Sequence, residues 1–108
     1  MSLYSLNNPI PTYEELKTIK EYYTKDLYFP IYGGYFRLTL NEDGRRTLAI
    51  DYLEGGYLSS IIHNFDSSYS FSKLYPFNKK NYEGLVKLYK QMLKIAQQEL
   101  NEYINILA

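Results

Sequence analysis

Two runs of alternating apolar and polar residues constrain the fold of this chain most strongly. Residues 35–40 and 47–52 each carry a large apolar side chain at every second position, the period of a strand with one buried face. The segment between them, residues 41–45, contains Asp43-Gly44, a pair typical of hairpin turns. The pattern predicts an antiparallel hairpin whose buried face carries Phe36, Leu38, Leu40, Leu48, Ile50 and Tyr52.

Two further strands are predicted after the hairpin. Residues 57–65 follow the pair Gly55-Gly56, and residues 69–74 alternate weakly, as an edge strand does. The sheet is therefore expected over residues 34–75. A matching glycine pair stands at residues 33–34, and neither pair belongs to a phosphate-binding motif. We expect these glycines to allow a positive φ or a close backbone approach at the start of a strand.

Helical patterns flank this sheet. Thr12 and Glu15 have the spacing of a capping box, and the apolar positions that follow predict a helix over residues 12–27. After Pro76, apolar residues recur every three or four positions and predict a long amphipathic helix over residues 79–107, capped by Asn78 or Asn81. That helix is about 40 Å long, whereas a domain of this size has a radius of gyration near 13 Å. We expect its end to extend beyond the sheet.

These elements predict one α+β domain spanning residues 1–108. Residues 1–11 form an N-terminal arm, because Pro9 and Pro11 disfavour helix there. A short antiparallel β-meander of three to four strands then lies between the two helices, in the order α-β-β-β-(β)-α. With both helices packed on one face, the other face is expected to be open, and it carries Tyr35, Arg37, Thr39, Thr47, Ala49 and Asp51.

Composition excludes several classes of protein. The chain has no cysteine, which excludes disulfides, thiol catalysis and cysteine-built zinc sites. Its 12 basic and 12 acidic residues cancel, which excludes a histone-like protein. It has no apolar run of about 20 residues and no N-terminal pattern of a secretory signal, so a cytoplasmic location is expected.

The single histidine, His63, is the main candidate for catalysis. Asp66 or Asp51 could orient it as a general base, and Tyr57 would complete a small ligand site. No nucleophile motif stands beside it, and metal sites commonly need several such ligands. The preferred interpretation is a strand histidine satisfied by a neighbour, with no cofactor and no metal.

Tyrosine is the most unusual component, with 14 residues among 108. So many hydroxyls cannot all be buried with hydrogen-bond partners, and exposed tyrosine is common at binding hot spots. Codon usage of an AT-rich genome is the alternative explanation. The predicted partner-binding residues are Tyr32, Tyr35, Arg37, Asp51 and Tyr57.

The long helix carries two more candidate surfaces. Its surplus apolar positions predict self-association through Leu100, Tyr103, Ile104 and Leu107, unless that segment folds back on its own chain. The opposite face carries Lys80, Lys87, Lys90 and Lys94, a stripe that could follow phosphates. Such a stripe is more often the solvated side of an amphipathic helix, so any nucleic-acid binding is expected to be weak and non-specific.

Together these features predict a non-catalytic protein-binding module. In size and composition the chain resembles accessory proteins of phages and mobile elements, including anti-CRISPR inhibitors and toxin-immunity proteins, although the likeness covers no motif. An inhibitor of this kind acts by steric occlusion with a rigid surface of about 800 Å². The alternatives are a weak nucleic-acid-binding protein and a small ligand-binding or enzymatic domain around His63.

Overall fold

The fold is of the α+β class, with a four-stranded antiparallel sheet and two helices. The computed structural model describes residues 10–19, 25–40, 44–53 and 68–107. Within them the elements are α1 (Tyr13–Ile19), β1 (Leu27–Ile31), β2 (Gly34–Leu40), β3 (Arg46–Tyr52), β4 (Tyr75–Pro76) and α2 (Lys79–Leu107). The strands lie in the order β1-β2-β3-β4.

The predicted hairpin is confirmed as β2 and β3. Phe36 pairs with Ile50 and Leu38 pairs with Leu48, and all four side chains are buried on the face that we call the inner face. Side chains alternate between the two faces of a strand, so this register sends every second residue to the opposite, outer face.

The first strand was not predicted. Leu27 was expected to end the first helix, but it begins β1, which pairs with β2 from Leu27↔Leu38 to Ile31↔Gly34. Hydrogen bonding to the free edge of β2 overrides the weak helical spacing of Leu27, and Pro30 is tolerated because β1 is an edge strand. The sheet therefore begins before residue 34.

The expected strand over residues 69–74 is wrong. Ser72 lies in a turn with φ of 66°, a left-handed conformation that interrupts an extended strand. Its backbone N–H donates to the carbonyl of Ile50 at 2.8 Å, outside any regular ladder. The last strand is instead the two-residue β4, where Tyr75 pairs with Leu48. The strand expected over residues 57–65, with Gly55-Gly56 before it, lies outside the described residues.

The glycine pair at the β1–β2 turn behaves as expected. Gly33 has φ of 81°, a left-handed backbone conformation that glycine adopts in such turns because it has no Cβ. A Cβ on Gly34 would collide with the carbonyl oxygen of Asp51 on β3. One glycine therefore allows the turn and the other allows the strands to approach closely.

Both helices begin at the expected caps. The backbone N–H of Glu15 donates to Thr12 Oγ1 at 3.1 Å, while Glu15 Oε1 accepts from the backbone N–H of Thr12 at 3.2 Å. This is the predicted capping box. In α2, the backbone N–H of Asn81 donates to Asn78 Oδ1 at 2.8 Å, so Asn78 is the cap.

The core lies between the inner face of the sheet and the two helices. One side of α2 buries Leu85, Tyr89, Met92 and Ala96, and α1 contributes Leu16. Beyond Ala96 the helix extends past the sheet, as its length predicts. The molecule measures 53 Å along its longest axis for this reason, against 24 Å along its shortest.

Candidate binding surfaces

Three predicted partner-binding residues meet on the outer face of the sheet. Arg37 on β2 and Asp51 on β3 form an ion pair, with Nε 2.8 Å from Oδ2. Arg37 Nη2 also donates to Asp51 Oδ1 at 3.2 Å, so the guanidinium approaches both carboxylate oxygens, while Nε itself is buried and makes no hydrogen bond within the described part of the chain. Each side chain is 22% exposed. Tyr35 lies directly opposite Asp51 in the strand register.

A residue that the sequence did not single out completes this group. Tyr28 on β1 pairs with Arg37 in register, and its ring packs edge-on against that of Tyr35, with centroids 6.0 Å apart. Tyr28 is 55% exposed and Tyr35 is 38% exposed. Leu27, Phe29 and Ile31 stand at every second position of the sequence, and this spacing is the signal that would have placed Tyr28 on a strand. We call Tyr28, Tyr35, Arg37 and Asp51 the outer patch.

The outer face as a whole is less open than expected. Ala49 is fully buried and Thr39 is only 6% exposed, although both lie on this face. Ala49 is opposite Arg37, whose much longer side chain lies on the same face. The hydroxyls of Thr39 and Thr47 are in hydrogen-bonding contact with each other. The large exposed side chains described on this face are therefore the two tyrosines of the outer patch.

Tyr32 does not belong to the outer patch, contrary to the prediction. It occupies the β1–β2 turn, where its carbonyl oxygen accepts a hydrogen bond from the Tyr89 hydroxyl at 2.8 Å, and it packs against the core. It lines an open groove of about 450 Å³ together with Glu99, Leu100 and Tyr103. The turn directs this residue toward α2 rather than across the outer face. Tyr57, the fifth predicted residue, lies outside the described residues.

The apolar end of α2 is exposed. The sequence predicted that Leu100, Tyr103, Ile104 and Leu107 need a second surface, either from their own chain or from another copy. All four are exposed in the structure, and so is Ile106. The five side chains are between 44% and 81% exposed, and we call them the helix end. Leu100 and Tyr103 follow Ala96 by four and seven residues, so they continue the side of α2 that is buried farther back.

The lysines of α2 lie on the solvent side as predicted. Lys80, Lys87, Lys90 and Lys94 are all exposed. Three of them line a second open groove, of about 490 Å³, whose described lining residues are Tyr82, Glu83, Val86, Lys87, Lys90, Gln91 and Lys94. Lys80 is not among these residues. The groove therefore combines the positive charge of the lysines with the apolar surfaces of Tyr82 and Val86.

Two tyrosine hydroxyls hold the helix against neighbouring segments. Burial raises the pKa of Tyr89, whose hydroxyl bonds the carbonyl of Tyr32. Burial also raises the pKa of Tyr82, and the nearby charge of Glu15 adds to the effect. The Tyr82 hydroxyl donates to the carbonyl of Pro11 at 2.6 Å. Both phenols are therefore neutral donors over the physiological pH range.

The catalytic alternative gains little from the described part of the chain. His63 and Asp66 lie outside it, and Asp51 is engaged by Arg37. Among residues 10–19, 25–40, 44–53 and 68–107, no three or more His, Cys, Asp or Glu side chains are grouped as a metal site requires. In the same ranges, no helix combines the length and apolarity needed to cross a membrane.

The outer patch, the helix end and the lysine-lined groove are thus the three surfaces on which a function can be argued. Comparison with protein-family models, with curated proteins and with solved structures finds no match to this chain.

Proposed function

We propose that this chain is a non-catalytic protein-binding module that presents the outer patch to a partner protein. The observation that supports it best is the exposed pair Tyr28 and Tyr35 beside the ion pair of Arg37 and Asp51. Tyrosine and arginine are the residue types that most often dominate the binding energy of protein interfaces.

The side chains of the outer patch are also preorganised for binding. All four residues stand on paired strands, and each ring or charged group already contacts a neighbour within the patch. Little conformational entropy is then lost on association, since the side chains are ordered beforehand. The guanidinium of Arg37 has five N–H donors, and the edge facing Asp51 uses only part of them.

We infer steric occlusion as the mode of action. A stable interface covers about 800 Å² of each partner, so the outer patch would form its centre and exposed residues around it would form its rim. The source and setting predicted from composition, an inhibitor carried by a phage or mobile element and acting in the cytoplasm, are part of this proposal.

The test begins with capture from lysate of the source cells, using the full chain as bait. The protein retained is then purified and titrated calorimetrically against the wild type, Tyr28→Ala, Tyr35→Ala and a control, Arg45→Ala. Arg45 is exposed and lies off the outer patch. We expect each tyrosine variant to bind at least tenfold more weakly and the control to bind as the wild type does. Equal affinity of all four proteins would contradict the proposal.

A second candidate function rests on the lysine-lined groove. Lys87, Lys90 and Lys94 share it with Tyr82, an arrangement that suits a phosphate backbone with weak base stacking. Binding of a single-stranded oligonucleotide should then fall steeply between low and physiological salt. Binding through the outer patch should depend on salt much less, which separates the two functions.

A further inference from the structure

We infer that a second copy of this chain covers the helix end, with the two α2 helices antiparallel over residues 100–107. The inference does not rest on the outer patch, which lies on the opposite face of the sheet.

The spacing of apolar residues along α2 is the first support. Val86, Leu93, Leu100 and Leu107 recur every seven residues, and Tyr89, Ala96 and Tyr103 do the same between them. Such a heptad pattern is the seam by which two helices pack together. In the first half of α2 the core covers much of this seam, because Tyr89 and Ala96 are buried and Val86 and Leu93 are half-buried. From Leu100 onward it is exposed.

The exposed area is the second support. Taking about 200 Å² for a fully exposed large side chain, the exposed fractions of Leu100, Tyr103, Ile104 and Leu107 correspond to about 450 Å² of surface. That matches the largest patches found on monomeric proteins, which are about 300–600 Å². It is also more than half of the roughly 800 Å² that each subunit contributes to a standard interface. A second copy would remove this surface from water on both chains at once.

The position of the sheet decides the orientation of the second helix. The sheet packs on the same side of α2 that continues into the helix end. If the two helices were parallel, both sheets would lie at the same height along the helix pair and on the side where the helices meet, so they would obstruct each other. If the helices are antiparallel, the two sheets lie at opposite ends of the pair. Leu100 then lies opposite Leu107 of the second copy, and Tyr103 lies opposite Ile104.

Charge favours the same orientation. Between residues 95 and 107 the helix carries Glu99 and Glu102 and no lysine or arginine. A parallel copy would place each carboxylate beside its own equivalent and would align the two helix dipoles. In the antiparallel register Glu102 lies at the level of Asn105 instead. Like charges of the two copies are thereby kept apart.

The groove beside Tyr32 gives the second copy a place to insert. Its volume is about 450 Å³, and it is lined by Glu99, Leu100 and Tyr103 of α2 and by Tyr32 of the β1–β2 turn. In the antiparallel register the second copy presents its own Leu107 at the level of Leu100, one of these lining residues. A leucine side chain entering there would contact residues from α2 and from the β1–β2 turn together.

The test is the solution mass of the full chain by light scattering and sedimentation over a wide concentration range. The wild type should change from monomer to dimer with a dissociation constant in the micromolar range. Leu107→Glu should weaken the dimer at least tenfold. Gln98→Glu adds the same charge to an exposed position on the other side of α2 and should leave the dimer unchanged. Circular dichroism of each variant confirms that the helix is retained.

Engineered thiols test the orientation, since the chain has no cysteine of its own. A mixture of Leu100→Cys and Leu107→Cys proteins should form a disulfide-linked dimer under mild oxidation. Leu107→Cys alone should not, because antiparallel packing separates the two thiols by about 10 Å along the axis. A disulfide formed by Leu107→Cys alone would overturn the antiparallel arrangement.

Two other outcomes would overturn the dimer itself. One is a monomer at every concentration up to several hundred micromolar. The other is a dimer that Leu107→Glu leaves unchanged, which would place the contact elsewhere. Neither outcome bears on the outer patch, which Tyr28→Ala and Tyr35→Ala test separately.

Discussion

Arg37 and Asp51 form an ion pair diagonally across β2 and β3, although neither is the direct register partner of the other. Arg37 is opposite Ala49, and Asp51 is opposite Tyr35. Diagonal neighbours on adjacent strands are within reach of a long side chain. The small side chain of Ala49 leaves room for the guanidinium to lean toward Asp51, and this fixes the polar half of the outer patch.

The ion pair predicts a measurable coupling energy. Each side chain is 22% exposed, so the pair is screened less than a surface pair but is not desolvated completely. We expect a double-mutant cycle of Arg37→Ala and Asp51→Ala to give a coupling of about 1 kcal/mol in the free energy of unfolding. The measurement is urea unfolding at low and high salt, with the smaller coupling at high salt. A coupling indistinguishable from zero at low salt would mean that the pair does not stabilise the sheet.

Gly34 predicts a strong local constraint. A Cβ there would collide with backbone atoms of Asp51, which cannot move without opening the β2–β3 ladder. We expect Gly34→Ala to lower the free energy of unfolding by at least about 2 kcal/mol. The matched control is Gly44→Ala, where φ is 75° and nothing lies within 4 Å of the added carbon. That change should cost about 1 kcal/mol, from backbone conformation alone. The reverse order of the two effects would refute the close approach at Gly34.

Tyr89 predicts a loss of stability in alkali. Burial raises its pKa above the ordinary value of 10.0, so above that pH the unfolded chain releases a proton that the folded chain retains. The free energy of unfolding must then fall as pH rises beyond about 10. The midpoint of urea unfolding, measured at neutral pH and at several values above 10, reports this slope.

Tyr89→Phe provides the comparison. At neutral pH it should cost about 1 kcal/mol, because the carbonyl of Tyr32 loses its hydrogen bond. Above pH 10 the free energy of unfolding of Tyr89→Phe should fall less steeply with pH than that of the wild type. Part of the fall that remains should come from Tyr82, whose pKa is also raised. An identical slope in both proteins would show that Tyr89 does not cause the effect.

The capping box of α1 predicts a smaller effect. Thr12→Ala removes the acceptor for the backbone N–H of Glu15 and should lower the free energy of unfolding by about 1 kcal/mol. Thr18→Ala is the control, since Thr18 lies inside α1, where its hydroxyl donates to the carbonyl of Glu14 in the same helix. Thermal unfolding of the two variants should differ, with Thr12→Ala melting at the lower temperature. Equal melting temperatures would show that the cap contributes nothing.

Local patterns in the sequence were sufficient for the hairpin and for both helix starts. Alternation with a period of two placed Phe36 and Ile50 on the inner face and Arg37 and Asp51 on the outer face, because a slip of one residue would expose the whole apolar set. The caps at Thr12 and Asn78 act over three residues and depend on no distant contact. These predictions required only the chemistry of near neighbours.

The missed features all involve contacts distant in sequence. β1 exists because Leu27–Ile31 completes the hydrogen bonding of β2, and a five-residue segment has little conformational preference of its own. Ser72 leaves the expected strand to donate to Ile50, 22 residues earlier. Tyr28 entered the outer patch only because β1 formed, and Tyr32 left it because the turn after β1 faces α2.

The sequence by itself therefore determined the elements whose signals are periodic or capped, and it indicated that α2 is too long for its sheet. It also determined which hairpin residues share a face. Tertiary structure alone decided which strand borders β2, which tyrosines stand together, and where along α2 the apolar side changes from buried to exposed. The physical reason is that periodicity reports the direction of a side chain, whereas burial depends on which surface the rest of the chain brings against it.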